Sequence, residues 1–400
     1  MARRGLLILT LILLAALGLV FWLVGGGLAT PARRMECALA ERGVVPGDPS
    51  PFPAVSEEDW SRGPEDARVI LIEYADFQCS HCAELAAVLA QLQSDYPDDL
   101  RLVFRHLPLD TLHNKARLAA QAVEAAGAQG QFWPMHDLLF EQQAIWSEAQ
   151  PEPFRLWLIE QAAELGLDAT RFGADLESQQ MIAVVERAYD EAVALGLNGT
   201  PSLAINGQYY EGPMDGWTLA AYAELIKLEV RQFDECPPLV TSPGKQYTAT
   251  LRTTQGDIVI QLLPQQAPLA VNSFVFLARQ GWYDGVPFHQ VIPEFVVQTG
   301  DPSGTGMGGP GYTFVDEIVP TALFDRAGVV GMAGSGRDQN GSQFFITYAP
   351  QQTLDGTHTI FGYVVAGMDV AAKLAVRDAT TNPTGLPEAD RIVSVTIAEE

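Results

Sequence analysis

Two cysteines separated by two residues, Cys79 and Cys82, are the side chains of this sequence best suited to chemistry. The residues before them, 69–72, are consecutive apolar β-formers, which predict a strand buried on both faces. The residues after them carry leucine or valine at positions 85, 88, 89 and 92, the spacing of one helix face. We therefore expect Cys79 at the N-terminus of a helix, and Cys82 one turn inside it on the shielded stripe.

A cysteine at the start of a helix is chemically activated. Unpaired backbone N–H groups and the helix dipole stabilise its thiolate, and a partly protonated His81 adds to this effect. The Cys79 thiolate can attack a disulfide of another chain, and Cys82 can resolve the mixed disulfide. The alternatives are a structural disulfide and half of a zinc site. Because Cys37 and Cys236 stand alone and supply no second ligand pair, we predict a redox pair and no metal.

Length and charge narrow the classes of function. The chain has 400 residues, 48% of them hydrophobic, which is enough for two or three domains with apolar cores. Its formal net charge is −25, and this excess of acidic residues argues against nucleic acid or an anionic lipid surface as a partner.

An apolar run near the N-terminus predicts where the protein works. Residues 5–24 contain one polar residue, Thr10, and as a helix they are long enough to cross a bilayer. Arg3 and Arg4 favour a cytoplasmic N-terminus, so we predict a single-pass membrane anchor over residues 1–25. The alternative is a cleaved signal peptide and a secreted protein. In both cases the bulk of the chain lies outside the cytoplasm, where disulfides persist.

A tether and a first domain are expected next. Residues 26–60 are rich in Gly, Pro and Ala and predict a tether, with a short helix near residues 37–42. The first domain spans residues 61–235. Its predicted elements are strands at 68–73 and 100–106, a helix-rich block over 114–195 with helices at 116–126, 132–142, 154–165 and 179–195, a hairpin with a type I′ turn at Asn206-Gly207, and a helix over 217–233.

This order of elements resembles the α/β thioredoxin fold, in the DsbA-like branch with an inserted helical domain. The resemblance is carried by Glu73, Phe77, the motif at residues 79–82, and Thr200-Pro201. It implies a cis peptide bond between Thr200 and Pro201, with this segment against the cysteines and contacting substrate. It also implies that Glu73 is a buried acid that mediates proton transfer; the alternative is an exposed glutamate on an edge strand. Ser80-His81 differs from the Pro-His pair of strong oxidases, so oxidation, reduction and shuffling of disulfides all remain open.

The other two cysteines, Cys37 and Cys236, flank this domain. Four cysteines allow three pairings. If Cys79 and Cys82 are the redox pair, a Cys37–Cys236 disulfide is the remaining bridge, and it would fasten the tether to the end of the domain. Free thiols and an intermolecular disulfide are the alternatives.

A Pro-rich linker at residues 236–246 precedes a second, mainly β domain over residues 247–400. Its first part predicts a hairpin over 248–263 and a helix over 267–279. The domain resembles the cyclophilins in three ordered segments: residues 288–301, residues 332–334 with 340–346, and residues 354–362. The resemblance implies a closed eight-stranded barrel with two capping helices.

Cyclophilins catalyse the cis–trans isomerisation of X–Pro bonds, whose uncatalysed barrier is about 18–20 kcal/mol because amide resonance must be broken. The positions that match the family's proline pocket are Phe295, Val296, Phe345, Leu354 and His358, and those that hold the substrate backbone are Gln298 and Gln343. The resemblance thus implies a catalytic and substrate-binding site made of these residues.

One position departs from the family. The position of the family's catalytic arginine is occupied in this sequence by Gln290. Glutamine keeps an N–H donor but lacks the positive charge. A charge-assisted hydrogen bond is about twice as strong as a neutral one, so we expect a weakened isomerase. The sequence predicts an extracytoplasmic folding catalyst without a cofactor, which acts on extended polypeptides with X–Pro bonds and cysteines and needs a redox partner. The alternative is a chaperone-like protein that binds proline segments with little turnover.

Overall fold

The computed structural model of the chain describes residues 33–39, 51–378 and 386–400. The predicted membrane anchor, residues 1–25, lies outside the described residues. Within the part that is described, no helix is both long and apolar enough to cross a membrane.

The first domain is built on a five-stranded sheet. After a short strand β1 (Ala38–Leu39), which pairs elsewhere, the strands of this sheet are β2 (Trp60–Arg62), β3 (Val69–Ala75), β4 (Leu100–His106), β5 (Ser202–Ile205) and β6 (Gln208–Tyr210). Their order is β2-β4-β3-β5-β6, with β3 and β4 parallel and the other neighbours antiparallel. Strand β3 is central and almost wholly buried, as its apolar run predicts. The β5–β6 turn places Asn206 and Gly207 at positive φ, the geometry of the predicted type I′ turn.

Helices cover this sheet and form the predicted helical block. They are α1 (Ser80–Asp95), α2 (Ala116–Gly127), α3 (Phe132–Glu141), α4 (Gln143–Trp146), α5 (Pro151–Glu164), α6 (Ala169–Asp175), α7 (Gln179–Ala194) and α8 (Gly216–Leu228), with a 3₁₀ turn at Glu229–Arg231. Asp168, Ser178 and Asp215 cap α6, α7 and α8 by accepting hydrogen bonds from backbone N–H groups. Helices α4 and α6 have only 4 and 7 residues, too few to show a helical period, and the sequence did not predict them.

The second domain is a curled antiparallel sheet of eight strands. Its elements are β7 (Tyr247–Thr253), β8 (Gly256–Leu262), α9 (Pro268–Arg279), β9 (Gln290–Val291), β10 (Val296–Thr299), β11 (Tyr312–Thr313), β12 (Val329–Met332), β13 (Phe344–Thr347), a 3₁₀ turn at Gln352–Leu354, β14 (Ile360–Ala366), α10 (Met368–Ala371) and β15 (Ile392–Glu399). The order in the sheet is β15-β7-β8-β14-β12-β13-β10-β9. Helix α9 packs against its concave side, where Phe274 contacts Phe344 and Phe361.

The predicted closure of this barrel is wrong. The edge strands β9 and β15 share no ladder. Among the described residues, the segment before β9 meets the start of β15 through the isolated bridge Pro287–Arg391 and three backbone hydrogen bonds between residues 285–288 and 390–392. Strand β9 is only two residues long and lies between Pro287 and Pro293, which have no N–H group to donate. The barrel is therefore open along this seam.

The segment from the predicted tether is bound to the second domain. Cys37 and Cys236 form a disulfide, which confirms the predicted bridge. Strand β1 pairs with β11, with Ala38 opposite Thr313 and Leu39 opposite Tyr312. The predicted short helix near residues 37–42 is therefore wrong over its described part, because this edge pairing holds residues 38–39 extended.

Other parts of the predicted tether and the predicted linker also pack against the two domains. Trp60 stacks on Phe132 in the first domain, with ring centroids 4.4 Å apart. In the linker, the backbone N–H of Val240 donates to Asn272 Oδ1 at 2.7 Å. Leu228, at the end of α8, is buried in the core of the second domain. The predicted helix over 217–233 ends there, because the chain turns to contact that domain.

Candidate active sites

The two cysteines of the first domain lie where strand β3 meets helix α1. Cys79 is the N-cap residue of α1 and Cys82 lies in its first turn, as the sequence predicts. Both are free thiols. Cys79 keeps 7% of its surface exposed, whereas Cys82 is 0% exposed. Of the two, Cys79 is therefore the one that a second molecule can reach.

The surroundings of the two thiols give them very different pKa values. A hydrogen bond from Cys82 lowers the pKa of Cys79 to about 5, against the effect of burial and with help from the backbone N–H groups of Cys82 and His81. Burial raises the pKa of Cys82 well above its usual range, and its hydrogen bond to Cys79 adds to this. At neutral pH the site thus holds one thiolate and one protonated thiol.

His81 acts on Cys79 differently from the prediction. Its ring points outward, with 76% of the side chain exposed, and lies 3.3 Å from a carboxylate oxygen of Glu84. The backbone N–H of His81, rather than an imidazolium charge, contributes to the low pKa of Cys79.

Glu73 lies beneath the cysteines on the central strand. It pairs with Phe104 of β4 and Leu203 of β5, so it is not on an edge strand, and it is 0% exposed. Neither carboxylate oxygen has a hydrogen-bond partner among the described residues. Burial raises the pKa of Glu73 to about 8, and the nearby charge of Arg62 opposes this. The charge of Glu73 also raises the pKa of Cys82, so the two groups interact directly.

The segment before β5 completes the thiol site. The Thr200–Pro201 peptide bond is cis, as the resemblance implied. The Thr200 carbonyl oxygen lies 3.5 Å from Cys79 Sγ. Folding thus brings Thr200 into contact with the sulfur of Cys79, although the two residues lie 121 positions apart in the sequence.

Two residues that the sequence analysis missed hold the loop before α1. Gln143 Nε2 donates to the carbonyl oxygens of Phe77 and Cys79 at 2.8 and 2.9 Å. Asp76 accepts from the Gln78 backbone N–H through one oxygen, and its other oxygen lies 2.8 Å from His113 Nδ1. Gln143 comes from the helical block and carries no local motif, so only its contacts identify it.

The predicted residues of the second site line one cavity of 590 Å³: Gln290, Phe295, Val296, Gln298, Gln343, Phe345, Leu354 and His358. Sheet pairing brings them together, since Gln298 lies opposite both Gln290 and Phe345. Val296 and Phe345 are buried and form an apolar floor. The cavity thus offers a hollow for an apolar ring beside a polar edge.

Aromatic packing fixes the shape of that hollow. Phe345 meets the His358 ring edge to face at 5.6 Å, and Phe324 stacks behind Phe345 at 5.5 Å. Phe324 is wholly buried and was not predicted as part of the site. It supports the floor from a loop that lies between β11 and β12.

The polar edge is a hydrogen-bonded pair of glutamines. Gln298 Nε2 donates to Gln343 Oε1 at 2.9 Å, and Gln343 Nε2 donates to the carbonyl oxygens of Gly306 and Gly308, both at 2.9 Å. These bonds fix a glycine-rich loop as the opposite wall of the cavity. Gln290 lies beside Gln298 and presents a neutral amide where the cyclophilin resemblance places an arginine.

Comparison with known proteins gives two family matches in the same places. Residues 248–397 match the family described as cyclophilin type peptidyl-prolyl cis-trans isomerase/CLD, and residues 55–226 match the family described as thioredoxin. Peptidyl-prolyl cis-trans isomerase-like 1 of Aspergillus niger is 45% identical over 152 residues, which cover 37% of this chain and 93% of that protein. The Homo sapiens protein of the same name is 45% identical over 143 residues, covering 35% and 84%. A solved Cryptosporidium parvum cyclophilin type peptidyl-prolyl cis-trans isomerase is 34% identical, covers 38% of this chain and 98% of that chain, and has a TM-score of 0.36.

Proposed function

The chain belongs to the cyclophilin family of peptidyl-prolyl cis-trans isomerases and carries a thioredoxin-like domain ahead of it, and from this premise we propose that it is a folding catalyst that also exchanges thiols and disulfides. The observation that carries the proposal is the pairing of an apolar hollow beside donor amides with a low-pKa cysteine at a helix N-terminus. Both sites suit extended, unfolded polypeptides, and both reactions are slow steps of folding. Joining them raises the concentration of one site for a chain held by the other.

In the isomerase step, the substrate proline ring enters the hollow above Val296 and Phe345. The Gln298–Gln343 pair holds the substrate backbone, and the Gln290 amide donates to the imide nitrogen as it becomes pyramidal and loses resonance. Such a donor favours the twisted transition state over the planar ground state. A neutral amide stabilises it less than a guanidinium does, which makes the reaction slower than with arginine.

In the thiol step, the Cys79 thiolate attacks one sulfur of a substrate disulfide and releases the other as a thiolate, which takes a proton from water. Cys82 then loses its proton to Glu73, in those molecules whose Glu73 carboxyl is ionised, and attacks Cys79 Sγ. This breaks the mixed disulfide, forms Cys79–Cys82 and leaves the substrate with two thiols. A redox partner that supplies two electrons restores the dithiol, and the reverse sequence oxidises a substrate.

The proposed location is outside the cytoplasm, with the chain anchored by residues 1–25 and its N-terminus inside; release after signal cleavage is the alternative. The Cys37–Cys236 disulfide supports this, because such bonds persist mainly in oxidising compartments. The proposed partners are polypeptides with X–Pro bonds and cysteines.

Two assays on the full chain test the proposal. For the isomerase half, we expect the chain to speed the cis–trans relaxation of a proline tetrapeptide above its uncatalysed rate. No acceleration by the chain or by its Gln290→Arg variant would favour a protein that only binds proline segments. For the thiol half, we expect Cys79–Cys82 to equilibrate reversibly with glutathione and Cys79→Ser to abolish exchange; a pair that stays inert would overturn this half.

A further inference from the structure

A second cavity, of 350 Å³, lies between the two domains. Helix α8 and the residue Tyr96 line it from the thioredoxin-like side, through Trp217, Ala220 and Glu224 among others. Residues of the isomerase domain line its other side. Three of them, Gln290, Gln298 and Gly306, also line the proline cavity. The two cavities therefore meet at the amides proposed to act on the proline bond.

Helix α8 is a fixed wall, because both domains hold it. On one side its residues Leu219, Ala223 and Ile226 share a core with leucines of α1. At its end, Leu228 is buried in the isomerase core. Beyond the helix, the Phe233 N–H donates to the Pro310 carbonyl oxygen at 2.9 Å. The helix is thus attached to the isomerase domain directly, and the cavity beside it is part of the fold.

The side chain best placed to bind a ligand on this wall is Trp217. It lies in the first turn of α8 and is 64% exposed, although it is a large aromatic residue. Aromatic side chains at the edge of a cavity are frequent sources of binding energy, since they bury a large area with few rotamers. Tyr96 adds a second aromatic ring to the same cavity.

We propose that the isomerase groove continues onto helix α8, so that Trp217 binds a side chain flanking the proline in an extended polypeptide. We assign this occupant because the two cavities are continuous. An extended chain whose proline sits above Val296 and Phe345 passes the edge formed by Gln290 and Gln298 and enters the second cavity. This inference rests on the proposed function for the proline site. It adds that the thioredoxin-like domain contributes directly to the binding of substrates that extend beyond the proline site.

The test compares a proline tetrapeptide with a peptide of about twelve residues, which spans roughly 40 Å when extended. With the full chain, we expect Trp217→Ala to weaken binding and raise KM for the long peptide by about tenfold, the effect of losing one buried aromatic contact. The same variant is expected to leave kcat/KM for the tetrapeptide unchanged. The control is Leu156→Ala, which removes a similarly exposed apolar side chain that lines neither cavity.

The readouts separate this inference from the function on which it rests. Equal affinity of the parent and Trp217→Ala for the long peptide, measured by fluorescence anisotropy, would overturn the extended groove even if the tetrapeptide is isomerised. A Trp217-dependent affinity for the long peptide supports the groove even if turnover is absent, in which case only the isomerase proposal fails. A loss of tetrapeptide activity in Trp217→Ala would also contradict the inference, because that peptide does not reach α8.

Discussion

Cys82, in the first turn of α1, lies close enough to the N-cap residue Cys79 for its thiol to donate a hydrogen bond to the Cys79 sulfur. This bond lowers the pKa of Cys79 to about 5, while burial and the same bond raise the pKa of Cys82. The difference in pKa between the two thiols therefore depends on the bond between them as well as on their place at the start of the helix.

The first prediction concerns the alkylation of Cys79. Its rate with iodoacetamide should be half-maximal near pH 5, the pKa of that thiol. In Cys82→Ala the donor is lost, so the midpoint should move up toward the usual value of about 8.5. Cys82→Ser keeps a donor and serves as the matched control, with a smaller shift. A parent midpoint near 8.5 would contradict the assigned bond.

The second prediction concerns the stability of the first domain and Glu73. The pKa of this buried carboxyl rises from 4.5 to about 8 on folding, so its contribution to stability is full below pH 4.5 and is lost as pH rises to about 8. Glu73→Gln removes this loss. The variant should gain on the parent by up to about 1.4 kcal/mol per pH unit across that window, measured by urea unfolding at several pH values.

The exposed Glu65 provides the control for that experiment, since Glu65→Gln should leave the pH dependence unchanged. The same Glu73→Gln protein should accumulate the mixed disulfide with a substrate peptide, because Cys82 has lost its proton acceptor. Rapid resolution of that intermediate in the variant would show that another group takes the proton.

The third prediction concerns the amide at position 290. Gln290→Arg should raise kcat/KM for a proline tetrapeptide by about tenfold or more, since a charge-assisted hydrogen bond to the twisted nitrogen is worth at least 1.4 kcal/mol more. Gln265→Arg adds the same charge at an exposed site outside the proline cavity and should have no effect. An equal response of the two variants would point to overall charge instead.

The fourth prediction concerns Gln343, which links three partners at the polar edge. Gln343→Leu keeps the size of the side chain but leaves Gln298, Gly306 and Gly308 without their bonds. We expect the second domain to lose about 1–3 kcal/mol of stability, and KM to rise as the loop loosens. Thermal unfolding and tetrapeptide kinetics measure the two effects. The exposed Gln352, changed to Leu, should alter neither.

The fifth prediction concerns the Cys37–Cys236 disulfide. Replacing both residues by serine should free β1 from β11, so the Met35 amide, which donates to the Pro237 carbonyl oxygen, exchanges faster with deuterium. A loss of about 2–3 kcal/mol corresponds to roughly a hundredfold faster exchange. Cys79→Ser with Cys82→Ser removes two thiols elsewhere and should leave this amide protected.

The local patterns of this chain were sufficient for much of the fold. Strand β3, helix α1 and the Asn206-Gly207 turn follow from a short apolar run, a helical period and a pair that tolerates positive φ. The closed barrel was a wrong expectation, because closure depends on whether two edge strands about 100 residues apart in the chain can form a ladder. The proline-flanked strand β9 is too short to do so.

The residue types at both candidate sites could be read from the sequence, because motifs and helix starts are local. The partners of those residues could not, since they come from distant segments. Folding alone brought Thr200 to Cys79, left the Glu73 carboxylate without a hydrogen-bond partner among the described residues, and placed Trp217 in one cavity with Gln290. The sequence determines which functional groups are present and which local elements carry them. Tertiary packing determines how far each group is exposed to solvent, whether it is ionised, and which distant residues it contacts.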